Sequence, residues 1–569
     1  MRVFRGAAFV FGLRMGAVEV STCATPRACG RRPALGMVML LLRTLCCASL
    51  VSLGLARAQT QEPPQSAPPA TLSVTSKLAF LDVTVLDKKN RPVVTGLTQD
   101  DFAITQDRQP QRIFSFEGPD VHEAVAVSPD DGAAGKAAPT AIVLDRLNSQ
   151  FSEFAYSLIC VRRFLLAQPE ELNSPTELML LGNRSFELLH SYTRSRAELL
   201  DVLNHLAPAL PYKVGAEWFR ERFVQSIDAL REIALQNEGM PGRKNVLWIG
   251  PGVGLRVDSL VGDYSKMKWY VHDTTNALVD ARISLFVIYP GLGGAGIDFS
   301  NLYLNPDHPS LGLGVDDPFA AEMGFAAFAN ETGGAVLHNN NYVDLSMKQA
   351  ESYGTSFYTL TYRPPDVPAD GRFRRVTVTM RDPKLHAVTK VGYYAPDEKA
   401  PFNERQQALF HIASQVVSVI PFDALQVSLE SIVRHSDSNT IEVMLRLGSK
   451  ELVWQAGENG TSSTDVNLAS ASLSKSRQIL ASKMEDLSIV AHSQSPTVLS
   501  GAHNRIHVTL RTPPKTEAVR VVLETPGNGR AGSIDIPRGV IDAAKDAPTP
   551  EPKLVPQPRK LEPRTVPMP

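Results

Sequence analysis

A carboxylate, an amide and a hydroxyl stand close together where an apolar segment of the chain ends. The run TAIVLD ends at Asp145, and Asn148 and Ser149 follow shortly after it. Carboxylate and hydroxyl oxygens are ligands that a hard divalent cation takes, and its open position can accept a carboxylate from a partner. Asp145 can also simply cap the following helix and bind the amides of its own loop, which we favour. The sequence therefore offers two alternatives here, a cation site and a structural carboxylate.

Other residues with reactive or ligating side chains lack the context that chemistry would need. Cys160 lies in the apolar stretch YSLICVRRFLL, which predicts a buried helix residue. His503 and His507 lie in the strand pattern HNRIHVTLRT, which separates them by roughly 13 Å, too far for one metal ion. IGPGVGL lacks the Lys and Ser/Thr of a phosphate-binding loop. The sequence contains neither HExxH nor GxSxG, so a zinc protease or a serine-hydrolase elbow has no support.

The charge of the chain is unevenly distributed. The sequence holds 58 Lys and Arg against 59 Asp and Glu, but residues 1–58 contain eight Arg and one Glu, which leaves 50 basic and 58 acidic residues beyond them. Binding to nucleic acid irrespective of sequence needs a basic surface that displaces counterions from phosphates. The acidic balance after residue 58 argues against nucleic acid as a partner.

The beginning of the chain has the features of an export signal. Arg43 precedes the uncharged run TLCCASLVSLGLA, whose length is typical of a signal-peptide core and too short to span a bilayer. The sequence Ala-Arg-Ala at 56–58 fits a signal-peptidase site. We therefore expect residues 1–58 to be a leader, with Met1 or Met37 as the start, and the remainder to be secreted or periplasmic without a membrane span.

Residues 139–350 alternate strand patterns with helical patterns. TAIVLD, TELMLLG, NVLWIG and ISLFVIYP are strand-like, and helical patterns lie between most of them. This alternation predicts an α/β domain with a mostly parallel sheet covered on both faces. Ligands of such sheets bind at the carboxyl ends of the strands. The candidate binding loops are those around 145–149, 213–217 and 251–258, which include Asn148 and Asp258.

All-β patterns lie on both sides of this segment. Residues 72–120 and 351–398 are each too short to enclose a core, so we predict that they form one β-sandwich into which the α/β domain is inserted. Residues 405–537 predict a second β-sandwich. Segments rich in Pro, Gly, Ser or Gln predict disordered linkers at 59–71 and 121–138 and a disordered tail at 538–569.

Four segments occur in an order and spacing that resemble a known group of proteins. They are FLDVTVLDKKNRPVVTGLTQDDFAITQDRQPQRIFSF, AIVLDRLNS, NETGGAVLHNNN, and SFYTLTYRPPDVPADGRFRRVTVTMRD with VGYYAP after it. Over about residues 72–397 the chain resembles the VWFA-related proteins of Acidobacteria, which carry a von Willebrand factor type A-like domain. The resemblance implies a doubly wound, mostly parallel sheet. It informs the fold more than the activity, because the function of the group is poorly defined.

The resemblance also implies where a metal ion would be held. In von Willebrand A domains a DxSxS motif, with a Thr and an Asp from two further loops, binds magnesium. Asp145 and Ser149 match the motif, whereas Leu147 replaces its middle hydroxyl. The loops LPYKVGAEWF and IGPGVGL lack the expected Thr and Asp, which leaves Asp258 or Asp263 as substitutes. The resemblance therefore implies a degenerate site for Mg²⁺ or another divalent cation, and no other cofactor is expected.

We expect an exported, non-enzymatic binding protein that contacts a protein or a surface polymer through the carboxyl-end loops. A hydrolase acting on envelope polymers is the alternative from another class, although no nucleophile–base pair is visible. A scaffold component of an envelope or secretion assembly is a third hypothesis. The sequence does not indicate the oligomeric state.

Overall fold

The computed structural model is a mixed α/β chain built mostly from sheets. It describes residues 78–120, 122, 138–183, 185–208, 218–253, 255–256, 264–290, 317–319, 322–337, 342–457, 460–501, 503–526 and 528–548. The predicted leader, the 59–71 linker and nearly all of the 121–138 linker lie outside these residues. Among the helices of the described ranges, none is long and apolar enough to cross a membrane.

The central segment contains a six-stranded sheet between helices. Four strands precede this central segment, namely β1 (Ala79–Leu86), β2 (Phe102–Gln106), β3 (Gln109–Gln111) and β4 (Ile113–Glu117). Its elements are β5 (Thr140–Asp145), α1 (Phe151–Leu166), β6 (Glu171–Leu181), β7 (Phe186–Ser195), α2 (Arg196–His205), α3 (Phe219–Gln236), β8 (Lys244–Ile249), β9 (Leu255–Arg256), α4 (Tyr264–Asp280), β10 (Ile283–Ile288), β11 (Glu322–Met323), α5 (Phe325–Glu331), β12 (Ala335–Leu337) and α6 (Val343–Thr355). The strand order is β12-β10-β8-β5-β6-β7, and only β7 runs antiparallel to its neighbour.

The three middle strands β10, β8 and β5 are buried along their whole length. Alternate residues such as Ile142 and Leu144 join an apolar cluster with α1, α2 and α6. Trp248 points to the other face, where its ring lies 4.6 Å from the ring of Phe325 in α5. Burial on both faces explains why these strands read as continuous apolar runs. Helix α6 continues to Thr355, so the predicted boundary at residue 350 falls inside a helix.

Strands from before and after the central segment share the same sheets. The later strands are β13 (Tyr358–Tyr362), β14 (Phe373–Met380), β15 (His386–Val388) and β16 (Gly392–Tyr394). One four-stranded sheet has the order β15-β1-β13-β4, and the other has the order β16-β14-β2-β3. In the antiparallel register Leu81 lies opposite Leu360, and Ile104 lies opposite Val378. These four side chains belong to one buried apolar cluster that the two sheets share.

Two further sheets form the C-terminal region. Its elements are α7 (Glu404–Val417), β17 (Val427–His435), β18 (Thr440–Gly448), β19 (Gln455–Ala456), β20 (Ser462–Leu473), β21 (Ile479–Ala491), α8 (Pro496–Gly501), β22 (His503–Arg511), β23 (Ala518–Glu524), β24 (Ala531–Pro537), α9 (Arg538–Ala543) and β25 (Lys545–Asp546). One sheet has the order β22-β18-β17-β25. The other has the order β19-β20-β23-β24, with β21 paired to β20. Their apolar residues form a common core.

Two expectations for this region were wrong in detail. Residues 538–546 were assigned to a disordered tail but form α9 and β25. Ile541 is only 2 % exposed in the shared core, and β25 pairs with β17, so burial and pairing order this part of the chain. Helix α7 was also not expected within the all-β segment. Asn403 caps it by accepting a hydrogen bond from the backbone N–H of Gln406 at 3.0 Å.

Candidate functional site

Asp145 is the last residue of β5, at the carboxyl edge of the central sheet. The neighbouring strand β8 ends at Ile249, so the loops that follow these two strands start side by side. Helix α1 begins a few residues later, with Gln150 as its N-cap residue. Gln150, and not Asp145, therefore occupies the N-cap position of α1. The other role considered for Asp145 without a metal is to accept hydrogen bonds from the amides of its own loop.

The Asp145 carboxylate is fully buried and surrounded by N–H donors. Asn148 donates from its backbone at 2.9 Å and from its side-chain amide at 2.9 and 3.1 Å. The indole of Trp248 donates at 3.0 Å, and the backbone N–H of Gly252 donates at 3.2 Å. These bonds come from β8 and from the loops after β5 and β8. Asp145 therefore fastens two loops of the carboxyl edge to each other.

A second set of contacts extends this arrangement to helix α3. The Asn148 amide also donates to Ser226 Oγ at 3.0 Å, and its carbonyl oxygen accepts from Arg222 Nε at 3.1 Å. Ser226 in turn donates to the carbonyl of Arg222 at 2.8 Å. We call Asp145, Asn148, Arg222, Ser226 and Trp248 the Asp145 cluster. It connects β5, β8 and the beginning of α3.

Two glycines allow the loop after β8 to approach this cluster. A Cβ at Gly250 would lie 2.6 Å from Asp145 Cβ and 3.0 Å from Ser149 Oγ, and the φ of Gly250 is +150°. At Gly252, with φ of +63°, a Cβ would lie 2.3 Å from the ring of Phe325. Any side chain at 250 would collide with Asp145. The glycines thus leave room for the bond from the backbone of Gly252.

Burial and hydrogen bonding act in opposite directions on the Asp145 carboxyl. Removal from water raises its pKa above the ordinary value for an aspartate, while the bonds from Asn148 and Trp248 and the charge of Arg222 oppose the rise. Burial also lowers the pKa of Arg222, an effect that the nearby Asp145 charge opposes. The two groups therefore favour each other's charged form across the Asn148 side chain.

These residues do not fit a divalent cation. A cation needs carboxylate lone pairs directed at it, but the oxygens of Asp145 accept bonds from N–H groups of Asn148, Trp248 and Gly252. Leu147, in place of the middle hydroxyl, is 1 % exposed and offers no oxygen from its side chain. Ser149 Oγ and Asp145 both lie within reach of a Cβ at Gly250, and Ser149 is 4 % exposed. In the described ranges no group of three or more His, Cys, Asp or Glu side chains could hold a metal ion.

The other predicted binding-loop residues are only partly placed. Asn148 is buried and belongs to the Asp145 cluster. Asp258, Asp263 and the loop 213–217 lie outside the described residues. Trp248, Ser226 and Arg222 were not predicted as members. The indole of Trp248 was the available signal, because a buried indole N–H in NVLWIG usually finds an acceptor.

Two exposed aromatic rings lie at the beginnings of helices at the carboxyl edge. Phe151, the first residue of α1, is 44 % exposed, and Phe219, the first residue of α3, is 38 % exposed. The guanidinium of Arg222 lies 5.6 Å from the centre of the Phe219 ring. We call Phe151 and Phe219 the edge aromatics. They give the carboxyl edge two exposed aromatic rings, of which Phe219 contacts Arg222 of the cluster.

A cleft of about 1040 Å³ lies elsewhere, between α4 and the sheet that contains β14. On its wall, Asp317 accepts a hydrogen bond from the Tyr394 hydroxyl at 3.0 Å and lies 3.1 Å from Lys268 Nζ. The ring of His272 stacks on Tyr394 with 3.5 Å between ring centres. The Asp317 carboxylate thus contacts both α4 and β16, which attaches this part of the chain to two elements.

The other reactive or ligating residues considered from the sequence are Cys160, His503 and His507. Cys160 is fully buried in α1, and burial raises the pKa of its thiol. His503 and His507 lie on one face of β22, and His507 Nε2 is 3.5 Å from Glu442 Oε2.

No protein-family model matches the chain, and no curated protein matches it.

Proposed function

We propose that this chain is an exported, non-enzymatic binding protein that contacts a protein or a surface polymer through the carboxyl edge of its central sheet, without a metal ion. The observation that carries the proposal is the Asp145 carboxylate, which uses N–H donors to hold two loops of that edge. In a von Willebrand A-type domain the same edge carries the metal. Here a network within the chain takes the place of the ion.

A rigid edge supports binding because a surface that is already ordered loses less conformational entropy when a partner arrives. The Asp145 cluster fixes the loops after β5 and β8 and the first turns of α3 relative to one another. Phe151 and Phe219 stand at the beginnings of α1 and α3 on this base. Aromatic side chains and Arg are enriched at protein interfaces, and both types are present here.

The proposal includes the architecture that presents this edge. The central segment would be a von Willebrand A-like domain inserted into a β-sandwich, with a second β-sandwich after it. The pairing of β1 with β13 and of β2 with β14 supports the insertion, because strands from both sides of the domain are neighbours. The apolar run before residue 58 and the Ala-Arg-Ala site at 56–58 support export.

Photo-crosslinking in the cells that produce the protein tests the proposal. A photoreactive phenylalanine analogue would replace Phe151 or Phe219 in the full-length chain. The matched control is Leu166, which is 62 % exposed at the opposite end of α1. We expect discrete adducts of higher mass from positions 151 and 219 and none from 166. The same adducts from 166, or none from either edge aromatic, would refute the proposal.

A further inference from the structure

Strand β21 is the outermost strand of its sheet and contains 13 residues. It pairs with β20 from Ser462 to Leu473, and among the described residues no strand pairs with its other side. The backbone N–H and C=O groups of such an edge are a template for another strand.

The side chains of β21 alternate between two environments. Leu487 and Ile489 are partly buried and pack against the core that the two C-terminal sheets share, whereas Ile479 lies beyond a bulge and packs against the separate cluster that contains Val416 of α7. Met484 and Val490, on the other face, are 50 % and 57 % exposed. A strand added to this edge must keep the same alternation, because a shift of one residue would place its apolar row in water.

Two opposite charges interrupt the inner row at its middle. Lys483 Nζ and Glu485 Oε1 form an ion pair of 2.9 Å, two residues apart on the same face. An inward-facing charge on an edge strand usually prevents pairing, since an approaching strand would remove water from the charge without adding an opposite one. A strand that carries the opposite charges at the matching positions would escape this cost.

A second copy of β21 meets that condition in one antiparallel register. When Met484 lies opposite Met484 of the second copy, Lys483 lies opposite Glu485 of that copy, and the reverse pair forms by symmetry. Moving the centre to residue 483 places Lys opposite Lys, and moving it to residue 485 places Glu opposite Glu. Like charges directly opposite each other are destabilising. The charges therefore select the register centred on Met484.

The same register also matches the apolar residues. Ala481 comes to lie opposite Leu487 of the second copy. Both residues are in the inner row, so the apolar row continues across the joint on either side of the charges. The exposed Met484 side chain packs against its own copy on the outer face. We propose that β21 pairs with β21 of a second copy around Met484, which joins two five-stranded sheets into one.

Charge reversal in the full-length protein tests this dimer. Sedimentation equilibrium would compare the parent with Lys483→Glu, with Glu485→Lys and with the double swap. We expect each single reversal to weaken dimerisation by about tenfold or more, because both symmetric pairs become repulsive. The double swap restores opposite charges and should recover the parent dimer. A monomeric parent, or a dimer that ignores the single reversals, would overturn the proposal.

A disulfide across the two-fold axis tests the register. In a chain whose four cysteines before residue 58 are replaced by serine, Cys160 is the remaining native thiol and is fully buried. Met484→Cys should then form a covalent dimer under mild oxidation, since directly opposite residues have Cβ atoms about 5 Å apart. Val490→Cys is the matched control, because its copy would lie roughly 40 Å away in this register. A crosslink at 490 and none at 484 would contradict the register.

Discussion

Asp145 and Glu177 are both fully buried carboxylates on neighbouring strands of one sheet, but their surroundings differ. Asp145 accepts hydrogen bonds from Asn148, Trp248 and Gly252. Glu177 in β6 accepts one from the Gln236 amide at 3.1 Å and one from the hydroxyl of Tyr192, and its Oε1 has no partner in the described part of the chain. Burial alone therefore does not decide what a carboxylate does. The number of donors does.

The position of each group explains the difference. Asp145 lies at the end of its strand, where loop amides without strand partners can reach it. Glu177 lies within β6 and points toward the end of α3 and toward the C-terminal region, where the charge of Asp423 adds to the effect of burial. Burial raises the pKa of Glu177 to about 8. It acts as a neutral acid at neutral pH, whereas the donors around Asp145 stabilise the charged form.

The largest effect is expected for Asp145→Ala. The substitution leaves the N–H groups of Asn148, Trp248 and Gly252 without their acceptor, so we expect a loss of about 4 kcal/mol in the free energy of unfolding. Chemical denaturation at pH 7 measures it. Ser149→Ala is the control beside it, with an expected loss below about 1 kcal/mol, because it removes only one hydroxyl. Equal losses for the two variants would show that the donors do not depend on Asp145.

Glu177→Gln should change the free energy of unfolding by less than Asp145→Ala does, and in the opposite direction. The folded-state pKa of Glu177 lies above that of the unfolded chain, so the unfolded chain loses this proton first as the pH rises. Stability from the neutral acid is present at low pH and decreases between about pH 4.5 and pH 8. The glutamine has no charge to bury, and we expect it to stabilise by about 3 kcal/mol at pH 7 and by nearly nothing at pH 4.

Denaturation of parent and variant at both pH values measures this difference. Glu171→Gln, at the exposed beginning of the same strand, provides the control and should change stability little at either pH. A gain for Glu177→Gln that is the same at pH 4 and pH 7 would contradict the assignment, because packing rather than ionisation would then be its cause.

The sequence allowed one of these two carboxylates to be recognised. Asp145 closes an apolar run, and that position alone places it at the carboxyl edge of a parallel sheet. Glu177 stands inside TELMLLG, and its burial depends on contact with a region that begins more than 200 residues later in the chain. Trp248, Arg222 and Ser226 were missed for the same reason, since local patterns do not show which distant side chains meet.

The same distinction between local patterns and distant contacts applies to the fold. The middle strands of the central sheet were visible because burial on both faces produces continuous apolar runs. Helix α7 could have been found from Asn403 and Gln406, which form a capping signal before a helical pattern. Residues 538–546 carry little local sequence signal for α9 and β25, because one buried residue, Ile541, and a two-residue strand pairing hold them in place.

The smallest expected effect is that of Mg²⁺ on Asp145. An ion that binds only the folded state stabilises it by about 2.7 kcal/mol at 100 times its dissociation constant. Millimolar Mg²⁺ would therefore reveal even a weak site. We expect no saturable change in the unfolding midpoint, because a bound ion would have to displace the N–H donors from the carboxylate.

Leu147→Ser, which restores the missing hydroxyl, should not create a response to Mg²⁺, since Asp145 keeps its bonds to Asn148 and Trp248. A saturable rise in the midpoint that Asp145→Ala abolishes would show that the carboxylate is available to a metal, and the contrast with Glu177 would then lie in ligand binding rather than in hydrogen bonding.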